Sequence, residues 1–296
     1  MTAPELPLEL ELAANGAGLH RYYVVDVFTD TALAGNQLGV FADGRGFSGE
    51  QMQSLARELN VAETIFVLPP ERGGDVRIRI FTPTSELPFA GHPVLGASFV
   101  VGAVLGSDEV RLETGLGIVP LRLERSAGRV VFGWMEQPIA PWQPYERAEE
   151  LLAVLGIKRS LLPVEVYENG PRHVFVRLES EEAVAALSPD LGALATHARV
   201  AANCFAGSGG RWKTRMFAPS LGVPEDPATG SAAGPLAMHL GRHGVVPFGE
   251  RIEIRQGVEI LRPSLLYACA HGTAEQIERV EVGGSALIVA RGEYRV

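Results

Sequence analysis

The chain has 296 residues, of which 46% are hydrophobic and 21% charged, a composition typical of a folded globular protein large enough for two domains. Its formal net charge is −9, which would repel a phosphate backbone, so nucleic acid is not an expected partner. No apolar run approaches the roughly 20 residues that a membrane-spanning helix needs, so we expect no membrane partner.

The first residues are acidic, with no basic start, so we expect a loose extension at 1–19 rather than a signal or transit peptide. The two cysteines, Cys204 and Cys269, have unrelated surroundings and no spacing typical of a metal cage or a disulfide framework. This use of cysteine favours a reduced, cytoplasmic setting.

β-branched and apolar residues between turn-forming residues predict many strands in the first half of the chain. The predicted strands are Tyr22–Phe28, Ile65–Leu68, Val76–Phe81, Val110–Glu113, Val119–Glu124 and Arg129–Trp134. Ser48–Leu59 has the spacing of an amphipathic helix, with Ser48 as its N-cap. Pro93–Leu105 is apolar on every side and too short for a membrane, which predicts a helix buried inside its own domain.

The second half repeats the plan of the first. In each half a strand ends in a Phe-x-Pro motif, at Phe81–Pro83 and at Phe217–Pro219. An x-Pro dipeptide follows, His92-Pro93 in one half and Asp226-Pro227 in the other, and opens a helix of small residues. The second such helix is expected at about Ser231–His243. A repeat of this length indicates a duplicated domain rather than a solenoid.

A weaker echo links Gly35–Val40 with Asn169–Val174. Prolines interrupt all periodicity in Gln137–Tyr145, so we place the domain boundary there. The expected parts are a flexible N-terminal extension at 1–19, a first domain at 20–137 with the last strand at about 286–296 returning to it, and a second domain at 146–285. The other predicted elements are helices at Glu149–Leu155 and Glu181–Leu187 and strands at Glu253–Arg255, Leu265–Ala270, Ile277–Val282 and Ala286–Ala290.

Glu63 follows a helix and begins an apolar strand, between Val61 and the pair Ile65 and Phe66. A carboxylate among apolar side chains loses water, which raises a carboxyl pKa and suits a general acid or base. A surface glutamate at a helix–strand turn has the same local sequence, so both interpretations stay open at this point.

The two helix starts carry the other candidate residues. His92 follows Gly91, which permits close approach of the backbone, and Asp226 has the matching place in the second half, ahead of Gly230 and Ser231. Small residues leave backbone N–H groups open, and two such helix starts at one cleft would attract a small anionic substrate. Asp and Ser are also ordinary caps and a lone histidine is often structural, so structural roles stay open.

A metal site is not expected. His239 and His243 have the i, i+4 spacing of a metal pair, but no HExxH pattern accompanies them and no third ligand is evident. The run Gly230–Gly234 is not the GxSxG nucleophile elbow, and Gly207–Gly210 lacks the lysine of a phosphate-binding loop.

Together these motifs resemble the PhzF-like family of phenazine biosynthesis, whose fold is that of diaminopimelate epimerase. The resemblance runs from Tyr22 to Val296. The motifs that carry it are Asp26–Thr29 with Gly35-Asn36, Glu63-Thr64, Phe89–Pro93, Asp226–Ser231, and Gln256–Glu259 with Arg262–Ser264. The sequence departs from the family pattern at Ala62, where Ser is frequent, and at Gln37, where Pro is common; these changes affect the pocket rather than a candidate catalytic group.

The resemblance implies an α+β fold of two similar domains, each with a curved, mostly antiparallel sheet around a central helix. It also implies a homodimer, no metal or organic cofactor, and isomerisation of trans-2,3-dihydro-3-hydroxyanthranilate. In that reaction Glu63 would move a proton between ring carbons. The substrate would be positioned by the side chains of His92, Asp226 and Ser231 and by the backbone N–H groups of Gly91 and Gly230.

Two alternatives stay open from the sequence. One is an isomerase or epimerase that acts on another small amino or carboxylic acid. The other is a non-catalytic protein that binds a small molecule or a partner. Related epimerases and racemases use paired cysteines, whereas the helix starts here carry His92 and Asp226, which argues against two-cysteine chemistry.

Overall fold

The computed structural model describes residues 19–296. The extension expected at 1–19 lies outside these residues, except for Leu19, which begins the first strand. The strands of the first half are β1 (Leu19–Val27), β2 (Asn36–Phe41), β3 (Glu63–Leu68), β4 (Val76–Phe81), β5 (Glu86–Leu87), β6 (Glu109–Thr114), β7 (Gly117–Ser126) and β8 (Arg129–Gln137). Its helices are α1 (Gly49–Leu59) and α2 (Gly91–Leu105).

The second half has a similar set of elements. Its strands are β9 (Trp142–Pro144), β10 (Glu165–Glu168), β11 (Arg172–Arg177), β12 (Val200–Ser208), β13 (Arg211–Ala218), β14 (Val223–Asp226), β15 (Ile252–Gln256), β16 (Ser264–Gly272), β17 (Ile277–Gly284) and β18 (Ala286–Arg295). Its helices are α3 (Ala148–Val154), α4 (Glu181–Ala185), α5 (Leu191–Leu194) and α6 (Gly230–Arg242), with a 3-10 turn at Pro219–Leu221. No helix within residues 19–296 is long and apolar enough to cross a membrane.

The order of strand pairing is the same in the two halves. In the first half β2 and β3 are parallel, β4 lies antiparallel to β3 and parallel to β6, and β6, β7 and β8 form antiparallel pairs. In the second half β11 and β12 are parallel, β13 lies antiparallel to β12 and parallel to β15, and β15, β16 and β17 form antiparallel pairs. The Phe-x-Pro repeat of the sequence thus marks equivalent strands, β4 and β13.

Two further antiparallel strand pairs, β8 with β17 and β1 with β18, complete the pairing. β8 pairs with β17 from Val280 opposite Gln137 to Gly284 opposite Gly133, which joins the two halves. β18 pairs with β1, with Leu19 opposite Arg295. The position of the domain boundary within Gln137–Tyr145 stays a prediction.

Each half has one helix buried by its strands. α2 packs against β1, β2, β3, β6, β7 and β8, and every residue from Gly91 to Gly102 is buried. α6 packs against β11, β16 and β17, and is buried from Gly230 to Leu240. Such a helix meets apolar side chains on all sides, so its sequence has no polar face. Pro93–Leu105 has this composition.

Candidate active site

The two buried helices begin against each other. A Cβ atom on Gly91 would lie 2.5 Å from the carbonyl carbon of Gly230 and 2.5 Å from the nitrogen of Ser231, so only glycine allows this approach. A Cβ atom on Gly230 would lie 3.0 Å from the nitrogen of His92. Neither helix is capped by the side chain of its N-cap residue. The first turns of α2 and α6 therefore keep backbone N–H groups for an anion.

A cavity of about 360 Å³ opens at this junction. It is lined by all six residues predicted for the site, Glu63, Gly91, His92, Asp226, Gly230 and Ser231. Apolar residues form much of the rest of its wall, among them Leu87, Phe89, Met216, Leu221 and Val223. A wider surface groove of about 780 Å³, between residues 155–161 and 178–188, contains none of the candidates. Few polar groups in an apolar cavity are typical of a small-molecule site.

Glu63 and His92 form an ion pair at the floor of the cavity. Glu63 begins β3 and its Oε2 lies 3.1 Å from Nε2 of His92, which is in the first turn of α2. The two side chains are 17% and 6% exposed, so the carboxylate is largely withdrawn from water. The two atoms are not aligned for a hydrogen bond, and neither has another partner within residues 19–296. The residues Glu63 and His92 line the cavity, although these two atoms are themselves buried.

The protonation of His92 and Asp226 follows from their surroundings. Burial opposes a charge on His92, but Glu63, Asp226 and a backbone hydrogen bond to Gln37 outweigh it, so the pKa of His92 lies above its ordinary value. Burial raises the pKa of Asp226 to about 6, against the lowering effect of His92 and of its hydrogen-bond donors. The two carboxyl groups thus favour the cationic form of His92, against the effect of its burial.

Two amides that the sequence reasoning did not single out hold Asp226, Asn36 from the first half and Gln256 from the second. Asn36 Nδ2 donates to Asp226 Oδ1 over 2.9 Å and lies 3.3 Å from His92 Nδ1. Gln256 Nε2 donates to the Asp226 carbonyl and to Thr229 Oγ1, each over 2.8 Å. Both amides lie in motifs that carry the family resemblance, and that membership was the only sequence signal of their role.

Ser231 is held by two further contacts that the sequence did not predict. Its Oγ lies 3.0 Å from Nε2 of His173, which is fully buried in β11 and whose Nδ1 lies 3.4 Å from Asn203 Nδ2. Its carbonyl accepts from Asn169 Nδ2 over 2.9 Å. That carbonyl lacks the usual helical donor four residues on, because Pro235 has no N–H.

The structure brings a third group to His239 and His243. Glu165 Oε2 lies 3.1 Å from His239 Nδ1 and 3.2 Å from His243 Nε2, close enough for a shared metal. Arg242 Nη1 already donates to that oxygen over 2.7 Å and to the Tyr167 hydroxyl over 2.6 Å. Burial favours the neutral acid, but these donors outweigh it and hold the pKa of Glu165 well below its usual range. The cluster is therefore a salt-bridged network at the far end of α6.

Cysteine chemistry is not part of this cavity. Cys204 and Cys269 are both buried and unpaired, and neither lines the cavity. Burial raises the pKa of the Cys204 thiol to about 12, so it stays protonated at neutral pH. The paired-cysteine chemistry of related epimerases is not available to this site.

Comparison with known proteins decides the family. The family model described as phenazine biosynthesis-like protein, PhzC-PhzF, matches residues 25–292. The chain belongs to the PhzF family. It is 55% identical to the trans-2,3-dihydro-3-hydroxyanthranilate isomerase of Pseudomonas aeruginosa and 53% identical to that of Pseudomonas chlororaphis, over 93% of this chain and 99% of theirs. A PhzF-family structure from Bacillus anthracis, 22% identical, has a TM-score of 0.81 and covers 94% of this chain and 99% of its own.

These findings confirm the predicted PhzF family and the predicted α+β, diaminopimelate epimerase-like fold. They also confirm the predicted enzyme class, an isomerase of the kind found in phenazine biosynthesis. A non-catalytic binding protein, one of the two alternatives, is disfavoured. The roles of the individual PhzF site residues stay predictions.

Proposed function

We propose that this PhzF-family protein isomerises trans-2,3-dihydro-3-hydroxyanthranilate by moving one proton between two carbons of its ring, with Glu63 as base and then as acid. The observation that supports this most is the Glu63–His92 pair, 3.1 Å apart, in a cavity where two uncapped helix starts meet. The name of the relatives that are 55% and 53% identical to this chain over the aligned residues supports the choice of substrate.

Binding begins with the substrate carboxylate. The open N–H groups at Gly91 and Gly230 present the positive ends of two helix dipoles to it, and the Ser231 hydroxyl lies beside them. This local field attracts an anion although the chain has a net charge of −9. Asp226 then takes the amino or hydroxyl group of the ring, so the ring is fixed from both helix starts.

Proton transfer follows from the position of Glu63. Its carboxylate takes a proton from a ring carbon, the C–H electron pair moves into the conjugated ring, and the resulting acid returns the proton to another ring carbon. His92, whose cationic form is favoured by the nearby carboxyl groups, and the helix starts stabilise the negative charge that develops on the substrate. One base serves two carbons only if the ring hardly moves, so positioning matters as much as basicity.

Every step of this scheme uses a group of the chain itself, so we propose that the enzyme is cofactor-independent. A homodimer and a cytoplasmic location are proposed on the family resemblance and on the two unpaired cysteines. The remaining alternative is the same proton transfer on another small amino or carboxylic acid, which the same cavity would accept.

The test is turnover of dihydro-hydroxyanthranilate in heavy water, followed by mass spectrometry and NMR of the product. The wild type is expected to incorporate solvent deuterium at the carbon that receives the proton. Glu63→Gln is expected to bind the substrate without isomerising it, and Glu50→Gln, an exposed glutamate of α1, serves as the matched control. Binding without turnover in the wild type would contradict this substrate, and a near-normal rate in Glu63→Gln would remove Glu63 from its role.

A further inference from the structure

The amide of Asn203 has a fixed orientation. Its Nδ2 lies 2.8 Å from the carbonyl oxygen of Ala201, and a carbonyl oxygen can only accept, so this atom is the NH₂ group. The second N–H of the same group faces Nδ1 of His173, 3.4 Å away. Asn203 itself is buried in β12, where no solvent competes for that proton.

This orientation determines which nitrogen of His173 has the proton. Nδ1 faces a donor and accepts from it, so the single proton of the neutral ring is on Nε2. The ring is neutral because burial alone lowers the pKa of His173 to about 3. Nε2 lies 3.0 Å from Ser231 Oγ and therefore donates to it. The hydroxyl oxygen is then an acceptor on this side, and its own proton is free to point elsewhere.

We propose that His173 and Asn203 are positioning residues that turn the Ser231 hydroxyl proton toward the bound substrate. The inference rests on the proposed function, because it assigns the direction of one contact in that site. Ser231 lines the cavity at the start of α6, beside the open N–H groups that would take a carboxylate. A serine fixed as a donor favours an acceptor such as a carboxylate oxygen at that point and disfavours an ammonium group.

The first test reads the proton on His173 directly, in unliganded protein labelled with ¹⁵N-histidine. The expected spectrum shows Nε2 protonated and Nδ1 bare from pH 5 to pH 8, and His173→Phe assigns the signals by their loss. A proton on Nδ1, or titration of this ring within that range, would overturn the proposal. This measurement needs no substrate, so it decides the direction of the hydroxyl even if the proposed activity fails.

The second test asks whether His173 acts through Ser231, by a double-mutant cycle on kcat/KM and on binding of 3-hydroxyanthranilate. His173→Phe is expected to lower both by about tenfold in the wild type and by less than about twofold in the Ser231→Ala background. His173→Gln, which keeps a neutral N–H donor, is expected to recover most of the loss. A merely structural role for His173 would give the same loss in both backgrounds and no recovery.

A control separates this effect from damage to the fold. His197→Phe removes another buried histidine of the second half, whose Nδ1 lies 2.7 Å from the Tyr145 hydroxyl and which does not line the cavity. It is expected to lower the midpoint of thermal unfolding without changing kcat/KM. Equal losses of activity in His197→Phe and His173→Phe would refute the positioning role. Absence of turnover in the wild type would instead refute the proposed function.

Discussion

His92 and His173 both line the cavity, His92 from the start of α2 and His173 from β11, but their surroundings shift their pKa values in opposite directions. Nδ1 of each ring lies near an asparagine amide, at 3.3 Å in His92 and 3.4 Å in His173, and Nε2 of each lies near an oxygen at the cavity. That oxygen belongs to Glu63 in one half and to Ser231 in the other. The pKa of His92 is raised, whereas that of His173 is lowered to about 3. Burial alone therefore does not decide the protonation of these rings.

The neighbours of the two asparagines account for the difference. Both protons of Asn36 Nδ2 are taken by Asp226 Oδ1 and the Ala228 carbonyl, each at 2.9 Å, which leaves none for His92. His92 instead has a backbone hydrogen bond to Gln37 and two carboxyl groups nearby, which favour a cation. His173 Nδ1 accepts a hydrogen bond from the Asn203 amide, and among residues 19–296 no carboxylate raises the pKa of this ring. Carboxyl groups thus favour the cation of His92 in one half, whereas burial favours the neutral ring of His173 in the other.

The largest expected effect comes from Glu63→Gln, which removes the charge that distinguishes His92 from His173. We expect kcat to fall about 10³-fold, within the usual range for loss of a general acid and base. The pKa of His92 should fall as well, because the Coulombic effect of Glu63 raises it. Rapid-quench kinetics and a ¹⁵N NMR titration measure the two effects. His173 is the internal control, and an unchanged His92 pKa would contradict the origin given for its charge.

Gly91→Ala is expected to have the next largest effect, because it separates the two helix starts on which both histidines depend. The new Cβ would lie 2.5 Å from backbone atoms of Gly230 and Ser231, which have no freedom to move aside. We expect a loss of about 1 to 3 kcal/mol in the free energy of unfolding and a rise in KM. Urea unfolding and steady-state kinetics check these outcomes. Gly46→Ala is the control, because its added Cβ would meet nothing within 4 Å although the residue has a positive φ that strains alanine. A rise in KM equal to that of Gly91→Ala would show that crowding is not the cause.

The contributions of His92 and His173 to the free energy of unfolding should change with pH in opposite directions. His173 has a lower pKa folded than unfolded, so acid favours the unfolded protein, and its contribution is lost as pH falls from about 6.5 toward 3. Between pH 6.5 and 4 this amounts to about 3 kcal/mol. His92 has a raised pKa, so its contribution is present below about pH 6.5 and is lost as pH rises through the folded value.

Urea unfolding from pH 4 to pH 8 measures both slopes, with His173→Gln and His92→Gln as paired variants. His173→Gln should make the protein less sensitive to acid than the wild type. His92→Gln should remove a loss of stability on the alkaline side. Parallel curves for the two variants would show that the rings do not differ in charge.

The contrast between the two histidines also shows what the sequence could predict. His92 lies on the repeated x-Pro helix start, so its place beside Asp226 follows from the duplication. His173 reaches Ser231 across 58 residues and Asn203 across 30, between strands and a helix that no local pattern joins. Its only signal was the weak echo of Gly35–Val40 in Asn169–Val174.

The strands that hold these polar residues were harder to predict than the helices. The strands that were not predicted include β2, β10, β11 and β12, in which most residues are buried. Strands covered on both faces lack the apolar–polar alternation by which a half-exposed strand is recognised. The apolar helix α2 was predicted because Pro93–Leu105 is apolar on every side and too short to cross a membrane. The contacts of buried polar residues in such strands can therefore be recognised only once the strand pairing is known.

The smallest expected effect tests the two asparagines themselves. The Asn203 contact to His173 is long, at 3.4 Å, and the ring keeps Ser231 as a partner without it, so Asn203→Ala is expected to lower kcat/KM by only about threefold. Because the Asn203 donor no longer fixes Nδ1 as the acceptor, ¹⁵N NMR should show a mixture of the two neutral tautomers of His173. Asn36→Ala should lower kcat/KM by about tenfold, because Asp226 loses a donor to its carboxylate. A larger loss of kcat/KM in Asn203→Ala than in Asn36→Ala would show that the contacts of His173 matter more for activity than those of Asp226.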